Sequence, residues 1–351
     1  MTQPLHYMQL PRTILIGSNI LDKLADICKE FGFTTTALIL SGPETYKVVG
    51  KRVVDVLEDY GLRVEKLIVY ESKLKYVNDA REVAHKLKPQ VIIGVGGGKV
   101  IDVGKYSAFL ENKPFISVPT AASHDGISSP RASIKDFPRP GSVEVKSPLA
   151  IVADIDVISQ APIRLTASGC GDIVAKYTAV RDWRLAHKIK GEYYGEYTGS
   201  LALMSAYSII NNAEVIRSDA KAGSRIVLEA LIGCGVAMGI AGSSRPCSGS
   251  EHLFSHALDL LAPKPAFHGE QCGVGTIMMS YLHKLNWKLI RETLKKVGAP
   301  TSAKELGIEP EYIIKALTYC HKIRPESYTI LGENGLSENE ARVLAEETLV
   351  I

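Results

Sequence analysis

Asp172, His252, His256 and His268 have the side-chain types of a divalent metal site, and each sits in a stretch that suits the role. Asp172 follows Ser168-Gly169-Cys170-Gly171, where the start of a helix is expected. His252 and His256 stand four apart in Ser250-Glu251-His252-Leu253-Phe254-Ser255-His256, so both imidazoles fall on one helical face. His268 opens His268-Gly269-Glu270, just past Pro263 and Pro265, which end that helix. A carboxylate with two imidazoles suits an ion such as Zn²⁺, and a catalytic zinc keeps one position open for water or substrate. The plainer alternative is a paired helix N-terminus and two surface histidines. Cys170 and Cys272 neighbour these residues without the spacing of a zinc knuckle, and burial is the role expected of them.

A second motif lies upstream. Val91-Ile92-Ile93-Gly94-Val95 reads as a fully buried strand and runs into Gly96-Gly97-Gly98-Lys99-Val100-Ile101-Asp102. Consecutive glycines let the backbone approach a diphosphate, and the free N–H groups at the start of the next helix attract it. Lys99 stands where the last glycine of G-x-G-x-x-G would be, so this is not that fingerprint; a tight structural turn is the alternative. Paired with a catalytic type of metal site, the turn points to a nicotinamide-dependent enzyme.

These residues need elements to hold them. Runs at 36–41, 64–70, 91–95 and 115–118 alternate with helical segments, which implies βαβ units and a parallel sheet. Residues 131–134 and 143–145 flank a proline-rich turn at 137–141 as a hairpin, and 149–153 reads as one more strand. From Pro162 the chain turns helical, with long apolar or amphipathic stretches at 173–188, 199–216, 224–240, 275–281 and 289–297. An α/β domain over 1–160 and an all-α domain over 161–351 are therefore expected, with chemistry in a cleft between them.

At 351 residues the chain can bury a large core, and 41 basic against 38 acidic residues leave a net charge of +3 without long runs. Neither nucleic acid nor a membrane surface is called for. The apolar stretch 230–242 is short of the roughly 20 residues a bilayer needs and reads as a buried helix. Met1-Thr2-Gln3-Pro4-Leu5-His6 lacks the pattern of a secretory leader, and six scattered cysteines suit reduced thiols, so a cytoplasmic location is expected. A homo-oligomer is expected as well.

The loop Pro119-Thr120-Ala121-Ala122-Ser123-His124-Asp125-Gly126-Ile127-Ser128-Ser129-Pro130 is the most specific stretch. With the glycine turn and the histidine motif, it resembles the sn-glycerol-1-phosphate dehydrogenase family, over essentially the whole chain and in the same order. That family makes the glycerophosphate backbone of archaeal membrane lipids, within a group that holds glycerol dehydrogenases, iron-dependent alcohol dehydrogenases and, more distantly, 3-dehydroquinate synthases. The resemblance implies a Rossmann-like parallel sheet followed by a helical domain. It implies nucleotide contacts at Gly96, Gly97, Gly98, Lys99, Val100, Ile101 and Asp102, and at Thr120, Ala121, Ala122, Ser123 and Ser129. It also implies Asp172, His252 and His268 as metal ligands, with Asp125 and His256 contacting substrate beside Asp172. Iron-dependent relatives carry a histidine four residues after the aspartate; here that residue is Lys176, and three ligands with an open position favour zinc.

Under that resemblance, the metal would act as a Lewis acid on the C2 carbonyl of dihydroxyacetone phosphate while hydride arrives from NADH or NADPH. The proton would come from water at the metal or by a relay through His256 or Asp125. His124 is given an orienting role; Arg131, Lys135 and Lys146 either hold the substrate phosphate or solvate the hairpin. His6, His85, His187, His283 and His321 are read as surface or packing residues without partners. The competing functions are a glycerol dehydrogenase on unphosphorylated polyol, a dehydroquinate-synthase-like lyase and a non-catalytic nucleotide-binding protein. The strand ending Leu40-Ser41-Gly42-Pro43 has no acidic residue at its tip to select a ribose 2′-hydroxyl, although Glu44 is close, and Thr45 and Lys47 could meet a 2′-phosphate. Both NADH and NADPH should therefore be accepted. Steady-state kinetics with each cofactor test this, and an NADH preference above about 100-fold, or about 2.7 kcal/mol, would contradict it.

Overall fold

Six short runs of aliphatic and β-branched residues pair side by side, most of them apolar on both faces, as strands covered from both sides must be. The computed structural model describes residues 8–137 and 141–351. The strands are β1 (Thr13–Gly17), β2 (Thr36–Ser41), β3 (Arg63–Ile68), β4 (Val91–Gly96), β5 (Phe115–Pro119), β6 (Arg131–Ser133), β7 (Ser142–Glu144) and β8 (Ala150–Asp154). All pairings in the main sheet are parallel, in the order β1-β8-β5-β4-β2-β3, while β6 and β7 form the separate antiparallel hairpin. The chain leaves β2 for the β3 side and β4 for the β5 side. The order thus reverses between β2 and β4, and such a reversal opens a ligand crevice at the carboxyl ends of the strands.

The chain divides into two compact units, residues 1–122 with 126–161, and residues 123–125 with 162–351. The first contains the sheet and the second is helical, the fold class expected from the sequence. β1 was not legible: it is an edge strand with one neighbour and only partial burial, so TILIG lacks the wholly apolar surroundings that mark β4. The helical series also continues beyond 297, through Ala303–Leu306, Pro310–Tyr319 and Glu338–Glu347.

Three expectations need correction. Asp172 does not start a helix: it lies near the end of Ile163–Val174, and Gly171 before it serves close packing. The apolar stretch at 230–242 lies in a buried helix, as expected, but that helix runs over Ala220–Ala241 and so is long and apolar enough to cross a membrane; 67% of its most apolar window is buried, as in a core helix. Three of the histidines read as lacking partners have them: His85 lies 2.9 Å from Glu111, His187 bonds the Glu192 carbonyl at 2.6 Å, and His283 lies 2.9 Å from Asp182, whereas the buried Nδ1 of His321 has no hydrogen-bond partner among the described residues. His6, with the N-terminal segment 1–7, and the centre of the 137–141 turn lie outside the described residues.

Glycine contacts set the crossing of Ile163–Val174 with His268–Leu282. A β-carbon on Gly171 would stand 2.2 Å from the Gly269 carbonyl oxygen, and one on Gly269 would stand 1.9 Å from that of Ser168. Only glycine permits this approach, and it brings Asp172 and His268, the neighbours of those two glycines, to the same crossing. Arg164 clamps the far side through two bonds to buried Glu270, at 2.6 and 2.8 Å. Alanine in a helix ordinarily gains up to about 1 kcal/mol over glycine, but a backbone clash of this size outweighs that gain. Gly269→Ala is therefore expected to destabilise the fold by about 2 kcal/mol or more and to lower zinc content. Denaturant unfolding and metal analysis check it, and a variant as stable as the parent would contradict it.

Candidate metal and substrate site

In the first unit, the glycine turn follows β4 at the reversal of strand order, and the next helix begins at Gly98. Its hydrogen-bond ladder starts with Val100 and Ile101, both donating to the Gly97 carbonyl, so the amides of Gly98 and Lys99 lie outside the ladder. A β-carbon on Gly97 would meet nothing within 4 Å. This open helix N-terminus fits a diphosphate. Thr120 donates its N–H to the Gly96 carbonyl at 3.1 Å, which seats the loop after β5 against the turn. Buried Lys105 donates to the carbonyls of Gly126 and Ser129 and so anchors the continuation of that loop. The Ser129 hydroxyl is buried and has no hydrogen-bond partner among the described residues, as a group intended for a ligand would be. Lys99 instead bonds the Tyr70 carbonyl at 3.1 Å, while Ala121, Ala122 and Asp102 are buried.

In the second unit three helices converge. Asp172 comes from Ile163–Val174, His252 and His256 from Ser250–Leu261, and His268 from the first turn of His268–Leu282. His252 Nε2 lies 3.4 Å from Asp172 Oδ1, close to the roughly 3.3 Å separating two ligands of a tetrahedral zinc. The rings of His252 and His268 are 5.1 Å apart at 68°, edge to face. Each has its Nδ1 engaged, His252 with Glu251 Oε1 at 2.9 Å and His268 with Ser255 Oγ at 3.1 Å. With Nδ1 held, Nε2 remains as the ligand atom, the orientation metal-binding histidines adopt. Glu251 is itself fixed by the Gly249 amide and the Thr178 hydroxyl, both at 2.7 Å. This donor set fits a divalent ion.

Two further groups touch the cluster. Cys272, read from sequence as a packing residue, places its sulfur 3.6 Å from His268 Nε2, and the donor atoms of His252, His268 and Cys272 all lie within 4.8 Å of one another. Burial pushes this thiol up, while the charge of His252 beside it works the other way. His256 stacks on His268 at 5.6 Å; among the described residues it groups with His268 and Asp259, not with His252 or Asp172. Asp125 donates its backbone N–H to Asp172 Oδ2 at 2.9 Å, and its carboxylate lies 2.9 Å from Lys176 Nζ. Of the basic residues in the first unit, Arg131 faces Glu144 at 3.6 Å and Lys146 bonds Asn112 at 3.1 Å.

Comparison with known proteins gives the family. The iron-containing alcohol dehydrogenase family matches residues 15–162. Glycerol-1-phosphate dehydrogenase [NAD(P)+] of Thermococcus sibiricus is 52% identical over 347 residues, covering 99% of each chain. The enzyme of the same name from Methanosarcina mazei is 51% identical, covering 98% of this chain and 97% of its own. The chain belongs to the glycerol-1-phosphate dehydrogenase family, and it is an oxidoreductase. The fold is also that of glycerol dehydrogenase from Schizosaccharomyces pombe (TM-score 0.78, 21% identity, 99% of this chain and 91% of that one). NADH-dependent butanol dehydrogenase A from Thermotoga maritima shares it too (TM-score 0.75, 21% identity, 97% and 99%).

Sequence reasoning missed several residues of this cluster. Glu251 and Ser255 lie inside the quoted histidine motif, where a carboxylate and a hydroxyl next to paired imidazoles could have been read as their orienting partners. The buried charges set the proton inventory. Burial works against a charge on Asp172, but Lys176 and His252 overcome it and hold the carboxyl well below the usual range. His268 is pushed down to about 3, by burial and then by the charge of His252. Burial also opposes a charge on His252, yet the groups around it, Cys272, Asp172 and Glu251, raise it well above the ordinary value. At neutral pH the metal-free site thus has an ionised Asp172, a neutral His268 and a protonated His252. Zinc binding should therefore release about one proton, from His252, and apparent affinity should rise about tenfold per pH unit until that group deprotonates. Calorimetry in buffers of different ionisation enthalpy measures the number, and a value near zero or two would contradict this charge assignment.

Proposed function

We propose that this protein is an NAD(P)H-dependent, zinc-assisted enzyme that reduces dihydroxyacetone phosphate to sn-glycerol 1-phosphate, for the backbone of archaeal-type membrane phospholipids. The observation that carries this reading is His252 placed 3.4 Å from Asp172 and ring to ring with His268 at 5.1 Å, in a chain about half identical to glycerol-1-phosphate dehydrogenases along its whole length. Three ligands, with Lys176 where iron-binding relatives have a fourth, favour zinc and an open position. When bound, the metal supplies a Lewis acid for the ketone oxygen and the nicotinamide supplies hydride.

The chain's own residues do the remaining work. The amides at the start of the Gly98–Leu110 helix and the Ser129 hydroxyl hold the nucleotide, making the first unit the dinucleotide-binding domain. The second unit holds metal and substrate. Asp172, His252 and His256 are all buried, which excludes water and strengthens every polar contact with substrate. Burial, first of all, lowers His256, so it stands neutral at pH 7, able to donate from one ring nitrogen and accept at the other. It therefore binds a substrate oxygen and can pass on a proton, with Asp125 as the second substrate contact. Thr45 bonds back to the Gly42 amide at 2.9 Å and Lys47 pairs with Glu44 at 3.0 Å, so Glu44 is partly neutralised, in keeping with use of either nucleotide. Six buried free thiols accord with a cytoplasmic location. Exposed Tyr197, Met204 and Val215 along one face of Glu196–Ser218 accord with a homo-oligomer.

Activity with NAD(P)H on dihydroxyacetone phosphate but not on dihydroxyacetone, and chiral analysis giving sn-glycerol 1-phosphate, are the expected results. His268→Ala should lose zinc and activity together. His256→Ala should keep about one zinc per chain and lose on the order of 10²-fold in kcat/KM. Metal content and kinetics on one preparation decide between these roles, and parallel loss of zinc in His256→Ala would make His256 a ligand.

A further inference from the structure

Lys176 is wholly buried, yet its side chain ends in a charge that a space-filling residue would not need. Enclosing an ammonium costs several kcal/mol unless its surroundings compensate. Here the compensation is complete. Nζ bonds Asp172 Oδ1 at 2.7 Å, the Asp172 carbonyl at 2.8 Å and Asp125 Oδ2 at 2.9 Å, three acceptors for three N–H groups. No N–H is left to give a proton to substrate, so Lys176 is not an acid in the reaction. It binds two carboxylates from distant parts of the sequence, one proposed to hold the metal and the other to touch the substrate.

The two carboxylates differ in what they still offer. Asp172 is 1% exposed, with Oδ2 taken by the Asp125 amide and Oδ1 shared between Lys176 and the side facing His252. The Asp125 side chain keeps 17% exposure, the most accessible part of the triad. Asp125 is thus held through its main chain by Asp172 and through its carboxylate by Lys176, while its side chain stays partly exposed. The ammonium between the two carboxylates also offsets the repulsion they would otherwise exert on each other.

We propose that Lys176 is a positioning residue: by bridging Asp172 to Asp125 it holds the Asp125 carboxylate in the orientation that binds substrate, and the metal does not depend on it. This rests on the reading of Asp125 as a substrate contact given above. Its action runs through Asp125, so the two residues must behave as one unit in a double-mutant cycle.

The cycle uses the zinc-loaded full chain with Lys176→Met, Asp125→Asn and the pair. Kinetics, zinc content and calorimetric binding of dihydroxyacetone phosphate without nucleotide are measured for each. Each single variant is expected to lose on the order of 10²-fold in kcat/KM and to bind the ketone more weakly, with zinc near one per chain. The double variant should fall less than about threefold below Asp125→Asn alone. Lys176→Gln, which keeps hydrogen bonding without the charge, replaces Lys176→Met in the same cycle if the methionine variant does not fold. Losses that multiply to about 10⁴-fold, or zinc lost from the Lys176 variants, would overturn the proposal and assign Lys176 to the metal. Inactivity of the unsubstituted enzyme towards dihydroxyacetone phosphate would instead overturn the reading of the site itself, and this inference with it.

Discussion

Two glycines let two helices touch backbone to backbone, and the chemistry of the second unit is assembled around that contact. Gly171 and Gly269 each lie where any β-carbon would collide with a carbonyl oxygen, so the helices Ile163–Val174 and His268–Leu282 cross as closely as helices can. Asp172 and His268 are next in sequence to those glycines, and the crossing itself sets their separation. Side chains fixed by main-chain contact between helices move less than side chains carried on loops, which matters wherever about 1 Å of displacement costs a site much of its effect.

Around that crossing the protein encloses an unusual number of charges. Asp172, Lys176, Glu251 and His252 are all buried, and each has a partner of opposite sign or a matched set of hydrogen bonds. Such a network is stable only when every member is satisfied. Its members lie on helices separated by long stretches of sequence, so the network makes the arrangement of those helices mutually dependent. Asp182 plays a similar part away from the site, accepting bonds from Ser250, His283 and the Ile330 amide.

The sheet was legible because strands buried on both faces are continuous apolar runs bounded by polar turns, as β4 and β5 are. β1 escaped because an edge strand has no such signature. In the site, His252 and His256 could be paired from their spacing alone, since a helix repeats on a scale the sequence displays. The partnership of Asp172 with Lys176 is also local, four residues apart, but its meaning is not: only the fold brings Asp125 to the same ammonium. A helix start was expected at Asp172 because the glycine before it has two uses, permitting unusual torsions and permitting close approach. The local sequence does not tell them apart. Cys272 was read as a packing residue because its spacing is not that of a zinc knuckle, and only the fold brings its sulfur beside His268.

The grouping of Ser123–Asp125 with the helical unit has a consequence for how the protein is made. Asp125 is synthesised about fifty residues before Lys176, and well over a hundred before His252. When the last strand of the sheet emerges from the ribosome, Gly96 and Lys105 can already hold Thr120, Gly126 and Ser129 of this loop, but Asp172 and Lys176, which bind Asp125, are still to be made. The sheet can form first, since domains tend to fold from the N-terminus as they appear, but Asp125 must wait for helices encoded downstream. An incomplete chain could therefore contain a folded sheet in which Asp125 has yet to meet the carboxylate and the ammonium that hold it in the finished protein.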